Sequence, residues 1–288
     1  MKNNTSICII GGFDQLSKSY FQDVKRKYNS VYFVNLLNNT YTIENLYNYK
    51  IFQLKKILEL LKLKSVTEIV FLGKLERPNL NEFKSDGIVE KYIPLLLNKY
   101  KKGDGAVLNA IIKIFKEFNY KTVSPLKFSE NFTFKNNNLS NIKAKEDFID
   151  IDKSINLLND ISKYDNAQSV VTINGYIIAI EAVEGTDALL KRVYKIRKDL
   201  NQLSSRSGFL IKIPKKNQSK LIDLPVIGPK TIKLIYKANL KGLAIDQRNT
   251  MVHRKNEVLR LINEYNLKIY NINWVINVYF YVIFRNHI

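Results

Sequence analysis

The chain has 288 residues, enough for about two domains that each bury a core of their own. With 45% apolar and 25% charged residues, it has a globular composition and is neither disordered nor low-complexity. Its formal net charge of +20 suits anionic ligands or an anionic membrane face, but the lysines are spread along the chain without a dense basic block, which speaks against a nucleic-acid partner.

Residues 6–10 form a short apolar run that ends at Gly11-Gly12, and Leu16, Tyr20 and Val24 follow at helical spacing. Strand, glycine turn and amphipathic helix make the opening unit of a parallel α/β sheet. The single Cys8 lies inside this run, so no disulfide forms within one chain, as expected in a reducing compartment. Only four apolar residues stand together here, too few for a signal-peptide core. A second strand is expected over 31–35, a helix over 52–63, and a third strand over 66–72 (VTEIVFL) that ends at Gly73-Lys74. Helices at 92–97 and 107–118 and a strand at 120–123 complete an N-terminal Rossmann-like α/β domain, residues 1–128. The two glycines at 11–12 fall short of the Gly-x-Gly-x-x-Gly dinucleotide fingerprint, and a tight turn or a helix N-terminus facing an anion explains them equally well.

Residues 129–145 are polar and Asn-rich and carry no sustained period, so they are expected to be a linker. A helix then follows from Asp147, with Ile151, Ile155, Leu158 and Ile161 on one face. Strands at 169–173 and 176–181 flank Asn174-Gly175, the strongest hairpin signal in the chain. Next comes a carboxylate-rich corner, EAVEGTD, from which a helix continues through Leu189, Leu190, Val193 and Tyr194; Thr186 or Asp187 is placed to cap it. A strand at 208–213, a helix opening at Gly228-Pro229, a strand at 242–245, a helix at 255–264 and a strand at 267–272 complete a C-terminal mixed α/β domain, residues 146–272. The tail, residues 273–288, contains WVINVYFYVIF, which is too short to span a bilayer. It suits a core-packing strand or a homodimer interface, with an interfacial membrane anchor as the alternative. No run approaches the roughly 20 apolar residues of a spanning helix, so a cytoplasmic protein is expected.

Nucleophilic and zinc chemistry find little support: one cysteine in a strand, and two histidines remote from any serine elbow. Acid chemistry remains, with Glu181, Glu184, Asp187 and Asp223 as carboxylates and Lys212, Lys215 and Lys220 as cations. Carboxylates for a hard metal and lysines for phosphate oxygens are what hydrolysis of a phosphoric anhydride needs, although capping and solvated turns use the same residues. Pro225 biases Leu224 toward extended backbone, so Asp223 is rigidly set; it can orient water, hold a metal or cap a turn.

SVVTINGYIIAIEAVEGTDALLKR, GFLIKIPKKNQSKLIDLPVIGPKTI and KGLAID, in that order, resemble the LpxI family of UDP-2,3-diacylglucosamine pyrophosphatases. VTEIVFLGKLERP and KGDGAVLNAI extend the resemblance, less tightly, into the N-terminal half. It implies two α/β domains with a ligand cleft between them. It also implies hydrolysis of UDP-2,3-diacylglucosamine to lipid X and UMP in the lipid A biosynthesis of Gram-negative bacteria. In that reaction, with Mg²⁺, water attacks the sugar-linked phosphorus. A cytoplasmic enzyme, peripheral on the inner membrane, is the implied setting. The Asp of the DLP motif carries over as catalytic onto Asp223. Metal contacts are assigned to Glu184 and Asp187. Substrate contacts are assigned to Gly11, Gly12, Lys74, Gly185, Thr186, Lys212, Lys215, Gln218 and Gly228.

Two stretches depart from the family pattern. The usual Ala-Gly-x-Gly-x-Leu-Pro turn is here Gly11-Gly12-Phe13-Asp14-Gln15-Leu16-Ser17, and the usual Lys-Pro-Gly-Gln loop is Lys215-Lys216-Asn217-Gln218. They motivate the alternative of a nucleotide-sugar or lipid-binding protein derived from this family that no longer hydrolyses its ligand.

Overall fold

The computed structural model describes residues 3–50, 53–74, 89–100, 104–135, 139–140, 142, 144–215 and 219–272. The tail read as a packing strand or anchor therefore lies outside the described residues, as does Gln218. The chain divides into two compact units: the first runs to Glu130 and takes in Ser219–Asp223, and the second begins at Asn131 and resumes at Leu224.

In the first unit β1 (Asn3–Gly11), α1 (Gln15–Lys27), β2 (Tyr28–Asn35), β3 (Leu46–Asn48), α2 (Leu54–Leu63), β4 (Glu68–Phe71), α3 (Ile93–Tyr100), α4 (Asp104–Glu117) and β5 (Lys121–Thr122) follow in order. The sheet is wholly parallel, in the order β3-β2-β1-β4-β5, the doubly wound arrangement expected of a Rossmann-like unit. Continuous apolar strands fit a sheet covered on both faces, and β4 is buried at every position. Leu54, Ile57, Leu60 and Leu61 form the buried stripe of α2. Ile222 packs into this same core, which is why Ser219–Asp223 groups with the first unit. β3 escaped sequence reading because its three residues carry no period of their own; pairing of Leu46 with Phe33 recruits them.

The stretch expected to be a linker carries Phe132 and Phe134, both buried, and Phe134 sits in the core of the second unit. That unit holds α5 (Lys145–Ile161), β6 (Ser169–Ile173), β7 (Tyr176–Ile180), α6 (Gly185–Asp199), β8 (Phe209–Lys212), β9 (Val226–Ile227), α7 (Pro229–Lys237), β10 (Gly242–Ile245), β11 (Met251–Val252), α8 (Lys255–Glu264) and β12 (Lys268–Asn271). Its main sheet has the order β12-β10-β8-β6-β7. β12, β10 and β8 are parallel, whereas β6 runs antiparallel to both β8 and β7, so the sheet is mixed. Asn174 and Gly175 have φ of 50° and 79°, the positive values that a tight two-residue hairpin turn requires. β9 and β11 form a separate parallel pair, too short at two residues each to show in sequence.

Asp147 is fully buried beneath this sheet. Its carboxylate accepts from Lys241 Nζ at 2.6 Å, Lys268 Nζ at 3.0 Å and Tyr270 Oη at 2.9 Å. Burial works to raise its pKa, but these three hydrogen bonds prevail and hold it below the ordinary 3.8. A carboxylate depressed in the folded state contributes stability above its unfolded pKa, and that contribution is lost as pH falls through the folded value. Thermal melts from pH 7 to pH 3 are therefore expected to show acid destabilisation beginning near about pH 4. In Asp147→Asn the melting temperature falls at neutral pH and the acid slope becomes shallower.

Candidate active site

The acidic corner follows the end of β7, and α6 starts at Gly185. Gly185 has φ of 78° and nothing within 4 Å of where a Cβ would stand, so the turn needs glycine for its backbone and leaves open space beside it. The cap expected from Thr186 or Asp187 is not made. The N-cap position falls to Glu184, in helical conformation and without a side-chain cap, because the turn starts the helix earlier than the sequence pattern suggests. An uncapped helix start suits an anion.

The side chains released from capping turn to other partners. Thr186 Oγ1 donates to Glu181 Oε1 at 2.8 Å and accepts from Lys212 Nζ, while Ser169 Oγ lies 3.3 Å from the same oxygen. Glu181 Oε2 also accepts the Gln168 backbone N–H at 3.3 Å. Lys212 is the last residue of β8 and only 6% exposed; Ser169 faces it in register on β6. Thus the ends of three neighbouring strands, β8, β6 and β7, and the start of a helix supply one ammonium, two hydroxyls and one carboxylate. Sequence reading singled out Lys212, Thr186 and Glu181 but missed Ser169, because cross-strand register is not legible from spacing.

The two carboxylates assigned to metal each hold a cation. Glu184 Oε1 accepts from Arg192 Nη2 at 2.8 Å, and Asp187 Oδ2 pairs with Lys230 Nζ at 2.8 Å, which pushes the Lys230 pKa up. Among the described residues no group of three or more His, Cys, Asp or Glu side chains is arranged to hold a metal ion. Hard oxygen donors are present nonetheless. Mg²⁺ commonly uses one or two carboxylates together with water and substrate phosphates, and Glu184 and Asp187 are donors of that chemical type. Lys215 Nζ donates to Asp165 Oδ1 at 2.9 Å and to the Asp165 carbonyl at 2.8 Å, tying its loop to the turn before β6.

Asp223 is exposed between buried Ile222 and Leu224 and has φ of 61°. The left-handed region costs an ordinary residue about 1–2 kcal/mol, and Asp is among the few that visit it routinely. The turn is secured by hydrogen bonds from Leu221 and Ile222 N–H to Ser219 and, beyond it, by Met251 N–H donating to the Pro225 carbonyl at 2.8 Å. Gly228 is extended at the N-cap of α7, ahead of Pro229. A Cβ there would meet only His253, at an ordinary 3.9 Å, so the fold itself does not require glycine at this position.

The first-unit glycines differ. A Cβ on Gly11 would stand 2.1 Å from the Leu72 carbonyl oxygen, and one on Gly12 2.2 Å from that of Lys74. Backbone approach alone accounts for both. The start of α1 is answered by Asp14, whose carboxylate accepts from Ser17 N–H at 2.9 Å and from Lys74 N–H at 2.9 Å. Lys74 itself is exposed.

Comparison with known proteins agrees with this architecture. The family model of the LpxI N-terminal domain matches residues 6–132, and that of the LpxI C-terminal domain matches residues 135–270. The UDP-2,3-diacylglucosamine pyrophosphatase LpxI of Caulobacter vibrioides is 28% identical over 214 residues, 74% of this chain and 76% of the relative. With both domain models matched in order along nearly its whole length, the chain belongs to the LpxI family.

Proposed function

We propose that this protein hydrolyses the diphosphate bond of UDP-2,3-diacylglucosamine to lipid X and UMP in lipid A synthesis. The observation that carries this reading is the match to a pyrophosphatase of that activity over three quarters of both chains. Water attacks the sugar-linked phosphorus, a new P–O bond forms there, the bridging P–O bond breaks, and UMP departs. Asp223 is the carboxylate that works at the reacting phosphorus. Lys212 and the uncapped start of α6 supply positive charge for phosphate oxygens. Mg²⁺, when bound, supplies charge neutralisation on the diphosphate, with Glu184 and Asp187 as the carboxylates offered to it. The chain acts at the cytoplasmic face of the inner membrane, where its positive charge of +20 favours an anionic leaflet.

Incubation of purified protein with UDP-2,3-diacylglucosamine and Mg²⁺ tests this reading. UMP and lipid X are expected, and in heavy-oxygen water the label is expected in the lipid X phosphate. Label in UMP would overturn the point of attack, and absence of turnover would overturn the activity. Tight ligand binding without turnover would instead favour a non-hydrolysing member of the family. Asp14, already seated at the start of α1 where a ligand anion would bind, gives that second reading its footing.

Two further outcomes are expected. Gly228→Ala keeps its thermal midpoint within a few degrees, since its methyl group meets only His253, yet lowers kcat/KM at least about tenfold because ligand needs that space. A stable and fully active Gly228→Ala would remove Gly228 from the site. If Glu184 and Asp187 serve Mg²⁺, Glu184→Gln and Asp187→Asn raise the Mg²⁺ concentration for half-maximal rate several-fold. An unchanged Mg²⁺ titration would leave them only their ion pairs with Arg192 and Lys230.

A further inference from the structure

We propose that Glu181 is a positioning residue that acts through Thr186 to fix the Lys212 ammonium beside the start of α6. A hydroxyl has one proton and two acceptor lone pairs. Thr186 gives its proton to Glu181 Oε1 at 2.8 Å, so its oxygen is left to accept, and it accepts from Lys212 Nζ. With that proton committed, Ser169 is the donor in its 3.3 Å contact with the same oxygen. Thr186 is thereby saturated. It orients Lys212 and has no proton left for a ligand, so the cation that meets a phosphate is Lys212.

Glu181 is itself fixed from two sides. Its backbone N–H donates to the Ser169 carbonyl at 2.9 Å, extending the β6–β7 ladder by one residue, and its Oε2 accepts from Gln168 N–H at 3.3 Å. The chain of groups runs from carboxylate to hydroxyl to ammonium and ends at the carboxyl end of β8. Ligands of α/β sheets bind beyond such strand ends. Lys212 is only 6% exposed, and a lysine held in a single rotamer at a sheet edge meets a diphosphate with its geometry already set. This inference rests on the proposed hydrolysis and names a residue that the reading above leaves without a role.

The test is a set of coupled variants assayed for kcat and KM by UMP release. Lys212→Met is expected to lose about a hundredfold in kcat. Glu181→Ala and Thr186→Val each lose about tenfold in kcat with KM little changed, the scale of one hydrogen bond to a charged group. Thr186→Ser, which keeps the hydroxyl, restores most of what Thr186→Val loses. The deciding measurement is the pair of double variants. In the Lys212→Met background neither Glu181→Ala nor Thr186→Val costs anything more, because both act through Lys212.

A full additional loss on top of Lys212→Met would overturn the proposal, as would an unchanged kcat in Glu181→Ala. A raised Mg²⁺ requirement in Glu181→Ala would also overturn it, marking Glu181 as a metal ligand instead. Should Glu181→Ala not fold, Glu181→Gln keeps the volume and one acceptor oxygen without the charge; a partial loss absent from the Lys212→Met background supports the proposal, and an additive one refutes it. Should the wild-type protein show no turnover, the hydrolysis reading fails separately, and calorimetric titration with UDP takes the place of the rate. The same non-additive pattern in UDP affinity then supports the positioning role, and equal affinity across the variants overturns it.

Discussion

Replacing Asp223 with Asn lowers turnover of UDP-2,3-diacylglucosamine at least about a hundredfold and leaves the fold intact, and Asp223→Ala does the same to turnover. A hundredfold corresponds to about 2.7 kcal/mol of transition-state stabilisation, the amount one well-placed electrostatic group supplies. Asp223 is exposed, with φ of 61°, so its carboxylate is not part of either core, while Ile222 and Leu224 on either side are 4% and 7% exposed and anchor the turn. Asparagine is the more informative replacement. It has nearly the same shape and tolerates left-handed backbone, whereas alanine adds local strain of about 1 kcal/mol at such a position. A urea midpoint unchanged in Asp223→Asn, together with the collapse in kcat, separates chemistry from folding. Near-normal turnover in the folded Asn variant would overturn the assignment.

The second large effect is on stability. Arg197 is 1% exposed, near the end of α6, and its guanidinium is spent on backbone carbonyls. Nη1 donates to Ala238 O at 2.9 Å and Asn239 O at 2.7 Å; Nη2 donates to Gln202 O at 2.6 Å, Ser205 O at 3.0 Å and Ser207 Oγ at 3.0 Å. One side chain thus joins the end of α6, the loop leading to β8 and the end of α7. Burial lowers its pKa from the ordinary value, yet guanidinium remains charged in proteins, so the acceptors are held by a full cation. Arg197→Met strands several buried carbonyls, each costing about 1–3 kcal/mol when left unsatisfied. Some of that is recovered as water enters, and a loss of at least about 3 kcal/mol is expected, read from urea unfolding. Arg197→Lys recovers only part of it, since a lysine lacks the planar fork that reaches three segments at once. An unchanged midpoint in Arg197→Met would refute the clamp.

Sequence patterning hides this residue. Leu189, Leu190 and Val193 are buried on α6, and Arg197 continues their spacing, but it stands among Lys191, Arg192, Lys195 and Lys198 and reads as one more surface cation. Periodicity identifies a stripe only while the stripe is apolar. The same limit applies to the acidic corner. Its residues suggest a helix cap from Thr186 or Asp187, yet no side chain caps α6, because Thr186 finds a carboxylate and an ammonium brought to it from the strand ends. Gly11 and Gly12 look like ligand glycines, and the backbone of Leu72 and Lys74 explains them without any ligand. Gly228 looks no different in sequence and has open space instead.

What the sequence by itself determined is the alternation of strands and helices, the Asn174-Gly175 hairpin, the parallel character of the first sheet and the membership in the LpxI family. All of these follow from local spacing, from turn residues whose backbone preference is intrinsic, and from motifs contiguous in the chain. Only the tertiary structure decided which side chains meet. β6 inserts antiparallel beside β8, and that register sets Ser169 opposite Lys212 and brings Glu181 and Thr186 to the same strand end. Pairing of this kind joins residues far apart in the chain, and no local preference of Ser, Lys, Glu or Thr encodes it.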